Sequence, residues 1–178
     1  MNKIFLDVET TGLDFLKDKI IEICCLKINY KNSKEELFHH FLNPKIEISK
    51  GAYMVHGINN KFLKNKPLFK EIVIKFLNFI YNSKLIIHNA PFDINFLNKE
   101  LNILKFNKIN KYCYKIIDTL KLSKKIYKDK KNSLDNLCKK FNLKNNRKKH
   151  SALIDVFLLK KVYYELYKKY NKIKLKIY

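Results

Sequence analysis

Asp7 and Glu9 stand two residues apart inside an apolar run, Ile4-Phe5-Leu6-Asp7-Val8-Glu9. Acid is scarce in this chain, 16 Asp+Glu against 38 Lys+Arg, so carboxylates set among aliphatic side chains need a reason. Burying an ionised carboxylate is costly unless a cation compensates it. A pair of hard divalent ions fits, because Mg²⁺ takes oxygen ligands and a few carboxylates. On a strand, residues i and i+2 project from one face, so the two groups can share one ion or bridge two. Asp93 and Asp155 are the other candidate ligands. Each also lies where a helix N-terminus favours an acid by ~0.3–1 kcal/mol, and for these two that plainer reading stays open. An apolar strand gains nothing from an unpaired acid.

The elements that must position these groups are legible in outline. Ile4 to Val8 reads as a buried strand, followed by the turn residues Thr10-Thr11-Gly12-Leu13. Ile20 to Ile28 predicts a second strand, apolar except for Glu22 and Lys27, and Glu36 to Leu42 a third, ended by Asn43-Pro44. Three strands in succession suggest an antiparallel meander. Pro67 then opens a helical pattern through Ile80 with apolar residues three and four apart. Leu85-Ile86-Ile87 is a short buried strand, Pro91 starts a helix to about Ile103, and Ile116-Ile117 ends another strand, with Asp118 placed to cap the next helix. Ser133 reads as the N-cap of a helix to Phe141. The last helix begins near Ser151, its apolar stripe running Ala152, Val156, Leu159, Tyr163, Leu166 and Tyr170, and the basic tail from Lys168 is expected to fray. Strands followed by strand–helix alternation imply one α/β domain with a mixed sheet.

The bulk composition bounds the class. At 178 residues and 47% hydrophobic residues, the chain supports one domain with a sizeable core. A formal net charge of +22 would attract a polyanion, nucleic acid first, and Lys144 to Lys149 is the best local patch for phosphate. The crowd of Lys, Asn, Ile, Phe and Tyr, with a single Arg (Arg147) and no Trp, is also what A/T-rich codons deliver, so the surplus charge has two possible origins. Cys24, Cys25, Cys113 and Cys138 show no C-x-x-C spacing and read as small buried hydrophobes of a reducing cytosol. Asp7 and Glu9 interrupt the only early apolar stretch, and no run approaches the ~18 residues of a membrane helix. The expected location is the cytoplasm.

Three segments carry a family resemblance. Phe5-Leu6-Asp7-Val8-Glu9-Thr10-Thr11-Gly12-Leu13 resembles the first motif of the DnaQ-like (DEDDh) 3′–5′ exonucleases. His88-Asn89-Ala90-Pro91-Phe92-Asp93-Ile94-Asn95-Phe96-Leu97 resembles the second, and His150-Ser151-Ala152-Leu153-Ile154-Asp155 the third, in the variant with a His five residues before the last Asp. Val55-His56-Gly57-Ile58, Lys66-Pro67, Asp118-Thr119-Leu120 and Asn132-Ser133-Leu134-Asp135 are similar to connecting segments of the proofreading subunits of bacterial replicative polymerases. The likeness covers roughly residues 3 to 167.

The resemblance implies an RNase H-like mixed five-stranded sheet flanked by helices, as an exonuclease domain over 1–170 with a short basic tail at 171–178. It implies two Mg²⁺ (or Mn²⁺) ions held by Asp7, Glu9, Asp93 and Asp155, with His150 as general base, and release of nucleoside monophosphates from DNA 3′ ends, single-stranded or frayed. Asp7 would bridge the ions, Glu9 and Asp155 would complete the water-activating site, and Asp93 would hold the second ion. Two such ions ~3.5–4 Å apart orient the attacking water and stabilise the leaving oxygen. If His150 and Asp155 were both helical they would point ~140° apart, so His150 is expected in the loop before the helix. Thr10, Thr11, Leu13, His56 and Phe92 are the substrate-binding candidates, although His56 and Phe92 read equally as core or loop residues. His88 is expected to be buried and hydrogen-bonded, and His39 and His40 are given no role. The implied partner is the catalytic subunit of the polymerase. Two departures stand: Ser49 to Met54 lacks the acid often found before Val-His-Gly, and the chain ends at Tyr178 with no Gln for a clamp-binding motif. The alternatives are an RNA 3′–5′ exonuclease of the same superfamily and a non-catalytic nucleic-acid-binding scaffold.

Overall fold

A computed structural model of the chain describes residues 1–128, 131–145 and 148–174. Residues 146 and 147 of the expected phosphate-binding stretch, and 175–178 of the expected tail, lie outside the described residues.

Five strands form one sheet: β1 (Lys3–Thr10), β2 (Ile20–Ile28), β3 (Glu35–Phe41), β4 (Lys84–Ile87) and β5 (Lys115–Asp118), in the order β3-β2-β1-β4-β5. β1–β2 and β2–β3 pair antiparallel, which is the expected meander, while β1–β4 and β4–β5 pair parallel. β1 and β2 are apolar nearly throughout because both faces are covered, as central strands require.

One face packs on α3 (Phe69–Ile80) and α4 (Ala90–Ile103), through Ile4, Leu6, Val8, Ile23 and Cys25 against Phe76, Ile80, Phe96 and Leu97. The other packs on α6 (Leu134–Lys140) and α7 (Ala152–Lys174), through Phe5, Cys24, Leu26 and Ile86 against Leu137, Val156, Leu159 and Val162. Cys24 and Cys25 therefore enter opposite cores, and all four cysteines are buried. Asp7 and Glu9 alternate with Leu6 and Val8, so they share the α7 face.

Three further elements carry no periodic apolar stripe. α1 (Lys50–His56) leaves Tyr53, Met54 and Val55 exposed and buries only His56; α2 (Asn60–Leu63) is four residues long; a 3-10 turn spans Ile109–Lys111. α1 is instead specified at its ends. Ser49 Oγ accepts the Ala52 N–H at 3.2 Å, and Gly57 closes the helix at φ 72, the left-handed region that a side chain resists. α5 (Thr119–Ile126) is capped by Asp118, which accepts from the N–H groups of Leu120 and Lys121. α7 corrects one expectation. The segment from Lys168 stays helical to Lys174, with the Lys169 ammonium over the rings of Tyr127 (5.2 Å) and Phe141 (5.5 Å).

Candidate active site

The parallel strands β1, β4 and β5 end on the same side of the sheet, where side chains from strand ends and helix starts can meet. Asp7 and Glu9 come from the end of β1. After β4, Asn89 takes φ 64, a left-handed conformation Asn tolerates, and the chain turns directly into α4. Asp93 then lies in the first turn of α4, 2% exposed, its Oδ1 accepting the Val8 N–H at 3.2 Å across the end of β1. Burial pushes its carboxyl up to about 8, against the pull of the Asp93 and Val8 N–H groups, and Asp118 adds to the rise.

Asp155 lies in the first turn of α7, also buried. His150 is outside that helix, as expected, and about half exposed. Its N–H donates to the Val55 carbonyl at 3.1 Å, and its Nδ1 stands 3.7 Å from Asp155 Oδ2. Ligand atoms of Glu9, His150 and Asp155 lie within 4.8 Å of one another. Asp7, half-buried, joins them electrostatically. Its carboxyl lies well above the ordinary carboxylate range through burial first, then through the negative charge of Asp93, Asp155, Glu9 and Glu22. Glu9, His150 and Asp155 thus meet between the end of β1 and the start of α7, with Asp7 beside them and Asp93, on the first turn of α4, near enough for its charge to act on Asp7. A cluster whose members oppose each other's ionisation is a site that a cation would relieve, and its all-oxygen carboxylate set fits a hard divalent ion.

Two cavities flank the acids. One, of about 500 Å³, is lined by Asp7, His88, Lys124, Asn132, His150 and Asp155 among others. The second, of about 360 Å³ and more apolar, is lined by Glu9, Thr10, Gly12, Leu13, His56 and Phe92 among others. Four of the five substrate candidates therefore share one cavity. Thr11 is the exception. It is fully buried and faces away, its hydroxyl donating to Asp18 Oδ1 (2.9 Å) and accepting the Lys19 N–H (3.0 Å), so it secures the turn after β1. Gly12 is part of the same turn, since a Cβ there would come within 2.4 Å of the Asp18 carboxylate.

The histidines sort by surroundings. His56 Nδ1 accepts the Ile58 N–H at 2.9 Å, and burial lowers its pKa despite the nearby Thr10 carbonyl, leaving a neutral ring whose Nε2 makes no hydrogen bond of ordinary geometry. His88 Nδ1 pairs with Thr119 Oγ1 at 2.9 Å, the hydrogen bond expected, but the ring is half-buried rather than buried and lines the larger cavity. His40 packs on Phe38, whereas His39 Nε2 meets Glu22 Oε1 at 2.8 Å. Glu22 is the residue the sequence reading passes over. It is the one acid of β2, fully buried, and lies opposite Glu9 in the β1–β2 register. The signal was available, since an acid in an apolar strand is what singled out Asp7 and Glu9.

Known proteins align with this arrangement. Residues 4–163 match the family described as Exonuclease (RNase_T). The chain is 47% identical over 167 residues to the DNA polymerase III subunit epsilon of Buchnera aphidicola (Acyrthosiphon pisum), covering 90% of this chain and 70% of that protein. It is 46% identical over 169 residues to the subunit of the same name from Rickettsia conorii, covering 93% and 74%. Among solved structures, the nuclease domain of 3′hExo, a DEDDh family member bound to rAMP, superposes with a TM-score of 0.78 at 17% identity, covering 94% of this chain and 92% of that one, a likeness of fold.

Proposed function

The chain belongs to the exonuclease family, and we propose that within it this protein is the proofreading 3′–5′ exonuclease of the replicative DNA polymerase, an epsilon subunit acting on DNA 3′ ends beside the polymerase III catalytic subunit in the cytoplasm. The observation that carries the reading is the convergence of Glu9, Asp155 and His150 within 4.8 Å beside Asp7, between two cavities. No helix among the described residues is long and apolar enough to cross a membrane.

The family uses divalent metal ions. Here two Mg²⁺ or Mn²⁺ ions would be held by Asp7, Glu9, Asp93 and Asp155. Such ions stabilise charge on the phosphoryl and leaving oxygens and favour hydroxide over water. The protein's own groups do the rest. Thr10, Leu13, His56 and Phe92 seat the terminal nucleoside in the apolar cavity, where base stacking on an aromatic side chain contributes ~1–3 kcal/mol. That places the phosphate before it against the acids. His150, outside the helix and half exposed, takes the proton of the attacking water. The bond between phosphorus and the 3′-oxygen of the penultimate nucleotide breaks, that oxygen gains a proton, and a nucleoside 5′-monophosphate leaves.

The test is incubation of the purified chain with 3′-labelled single-stranded DNA and matched RNA, with and without Mg²⁺. Mg²⁺-dependent release of labelled dNMP, abolished in Asp7→Ala, is expected. Preferential release from RNA would move the protein to an RNA-trimming role. Binding that ignores EDTA, with no cleavage of either strand, would make it a scaffold.

A further inference from the structure

We propose that Glu22 is a positioning residue for the exonuclease reaction, holding the start of α7 so that His150 and Asp155 keep their orientation toward the β1 acids. The inference rests on the reading of the site given above. Glu22 projects from β2 on the same face as Asp7 and Glu9 and is fully buried. Its Oε1 accepts from Ser151 Oγ at 3.1 Å and meets His39 Nε2 at 2.8 Å, and its Oε2 accepts the Ala152 N–H at 3.1 Å. Three donors thus occupy three of the roughly four acceptor sites of a carboxylate sealed from solvent, so both oxygens are engaged by protein groups. Glu22 is thus engaged as an anchor, and it lies close enough for its charge to act on Asp7.

Its contacts fall on the residues that matter most for geometry. The orphan N–H groups of a helix's first turn are usually satisfied by a nearby side chain of the same segment. In α7 the Ala152 N–H is bound instead by a carboxylate 130 residues earlier in sequence, so the helix start is fixed to the sheet. Ser151, the next anchored residue, follows His150 directly, and its carbonyl accepts the Asp155 N–H at 2.9 Å. His150 is tied on its other side by its N–H to Val55. Rotation or withdrawal of the helix start would move His150 and Asp155 together. A carboxylate is the side chain suited to this task, because both of its oxygens are pure acceptors, whereas an amide offers one acceptor and one donor.

The test compares Glu22→Gln in two backgrounds. In the otherwise native protein, kcat on 3′-labelled single-stranded DNA should fall by about tenfold or more with KM within about threefold, the range expected when a supporting partner of a metal or catalytic group is removed. In the His150→Ala background the same change should cost far less, because one of the two groups it positions is already gone. An equal fold-loss in both backgrounds, or no loss in either, overturns the proposal. Titration calorimetry with Mn²⁺ supplies an arm independent of turnover: affinity should weaken about tenfold, since Asp155 moves with the helix start, and unchanged affinity counts against the proposal. Ser151→Ala removes one of the three donors and, as the milder variant, should give a smaller loss in the same direction if Glu22→Gln fails to fold. Should the native protein release no mononucleotide at all, the functional reading fails and the Mn²⁺ arm alone decides Glu22.

Discussion

Asp93→Asn separates charge from shape at the centre of the site. Asn has nearly the outline of Asp, and its side-chain oxygen can keep the bond from the Val8 N–H, so packing survives while the charge goes. Ionisation of Asp93 is strongly opposed, since its carboxyl moves from 3.8 to about 8. At about 1.4 kcal/mol per unit, several kcal/mol stand against the charged form above pH 8. If the substitution relieves a third of this, ~2 kcal/mol, the melting midpoint of a chain of this length rises by ~4–8 °C. In EDTA at pH 9 the variant should therefore melt ~4–8 °C above the native protein. The gap should shrink to under about a third at pH 5, because (5 − 3.8)/(8 − 3.8) of the opposition remains. Added Mg²⁺ should raise the native midpoint by mass action and do much less for the variant, and turnover should be lost. Scanning fluorimetry with EDTA or Mg²⁺ across this pH range reads every arm. A variant that melts at or below the native protein at pH 9 in EDTA, or that Mg²⁺ stabilises equally, would refute the reasoning.

Three further outcomes are expected. His150→Ala should lower kcat by ~10²–10⁴, the usual contribution of general acid–base catalysis, while Mn²⁺ affinity by calorimetry changes little; joint loss of both would make His150 a ligand. The metal-free native protein should lose stability as pH rises from 5 to 9, measured as a falling melting midpoint. Asp7 and Asp93 have raised folded pKa values, so their contribution is full below 3.8 and disappears as pH passes through about 8 for Asp93 and through Asp7's own elevated value; a midpoint that rises over this span would contradict the buried-acid account. Gly12→Ala should destabilise by ~1–3 kcal/mol, read in urea melts, because the new Cβ displaces the Asp18 carboxylate from Thr11 Oγ1 and the Asp14 N–H; an unchanged urea midpoint would show that Asp18 can relocate freely.

The parts of this fold legible in sequence are those where burial imposes a period. β1 and β2 declare themselves by continuous apolar runs, and α3 and α7 by their stripes. α1 escapes because its outward residues, Tyr53, Met54 and Val55, are the apolar ones, so its pattern is inverted with respect to burial. At the site, Asp7 and Glu9 are recognisable because carboxylates are costly in such a run. The roles of Thr11 and Glu22 depend on partners distant in space or sequence. Thr11 faces Asp18 only because Gly12 lets that carboxylate approach, and Glu22 meets Ser151 and Ala152 only once α7 lies on the sheet. Spacing along the chain records neither arrangement.

The charge distribution gives the site an order of events. A formal +22 far exceeds the charge of a few acids, yet surface lysines are screened over ~8 Å at physiological salt, while buried carboxylates interact with much less screening. Without a cation, the raised pKa values of Asp7 and Asp93 favour a bound proton over a charge at each group. A divalent ion competes for the same oxygens, and its binding must expel those protons. A phosphate approaching ionised, unloaded acids would meet repulsion, which a bound cation would remove. On the proposed function, the lysines would draw a nucleic acid to the surface while its seating at the acids would depend on bound cations, which is how a strongly basic chain could concentrate its few acids at the point where it meets another anion.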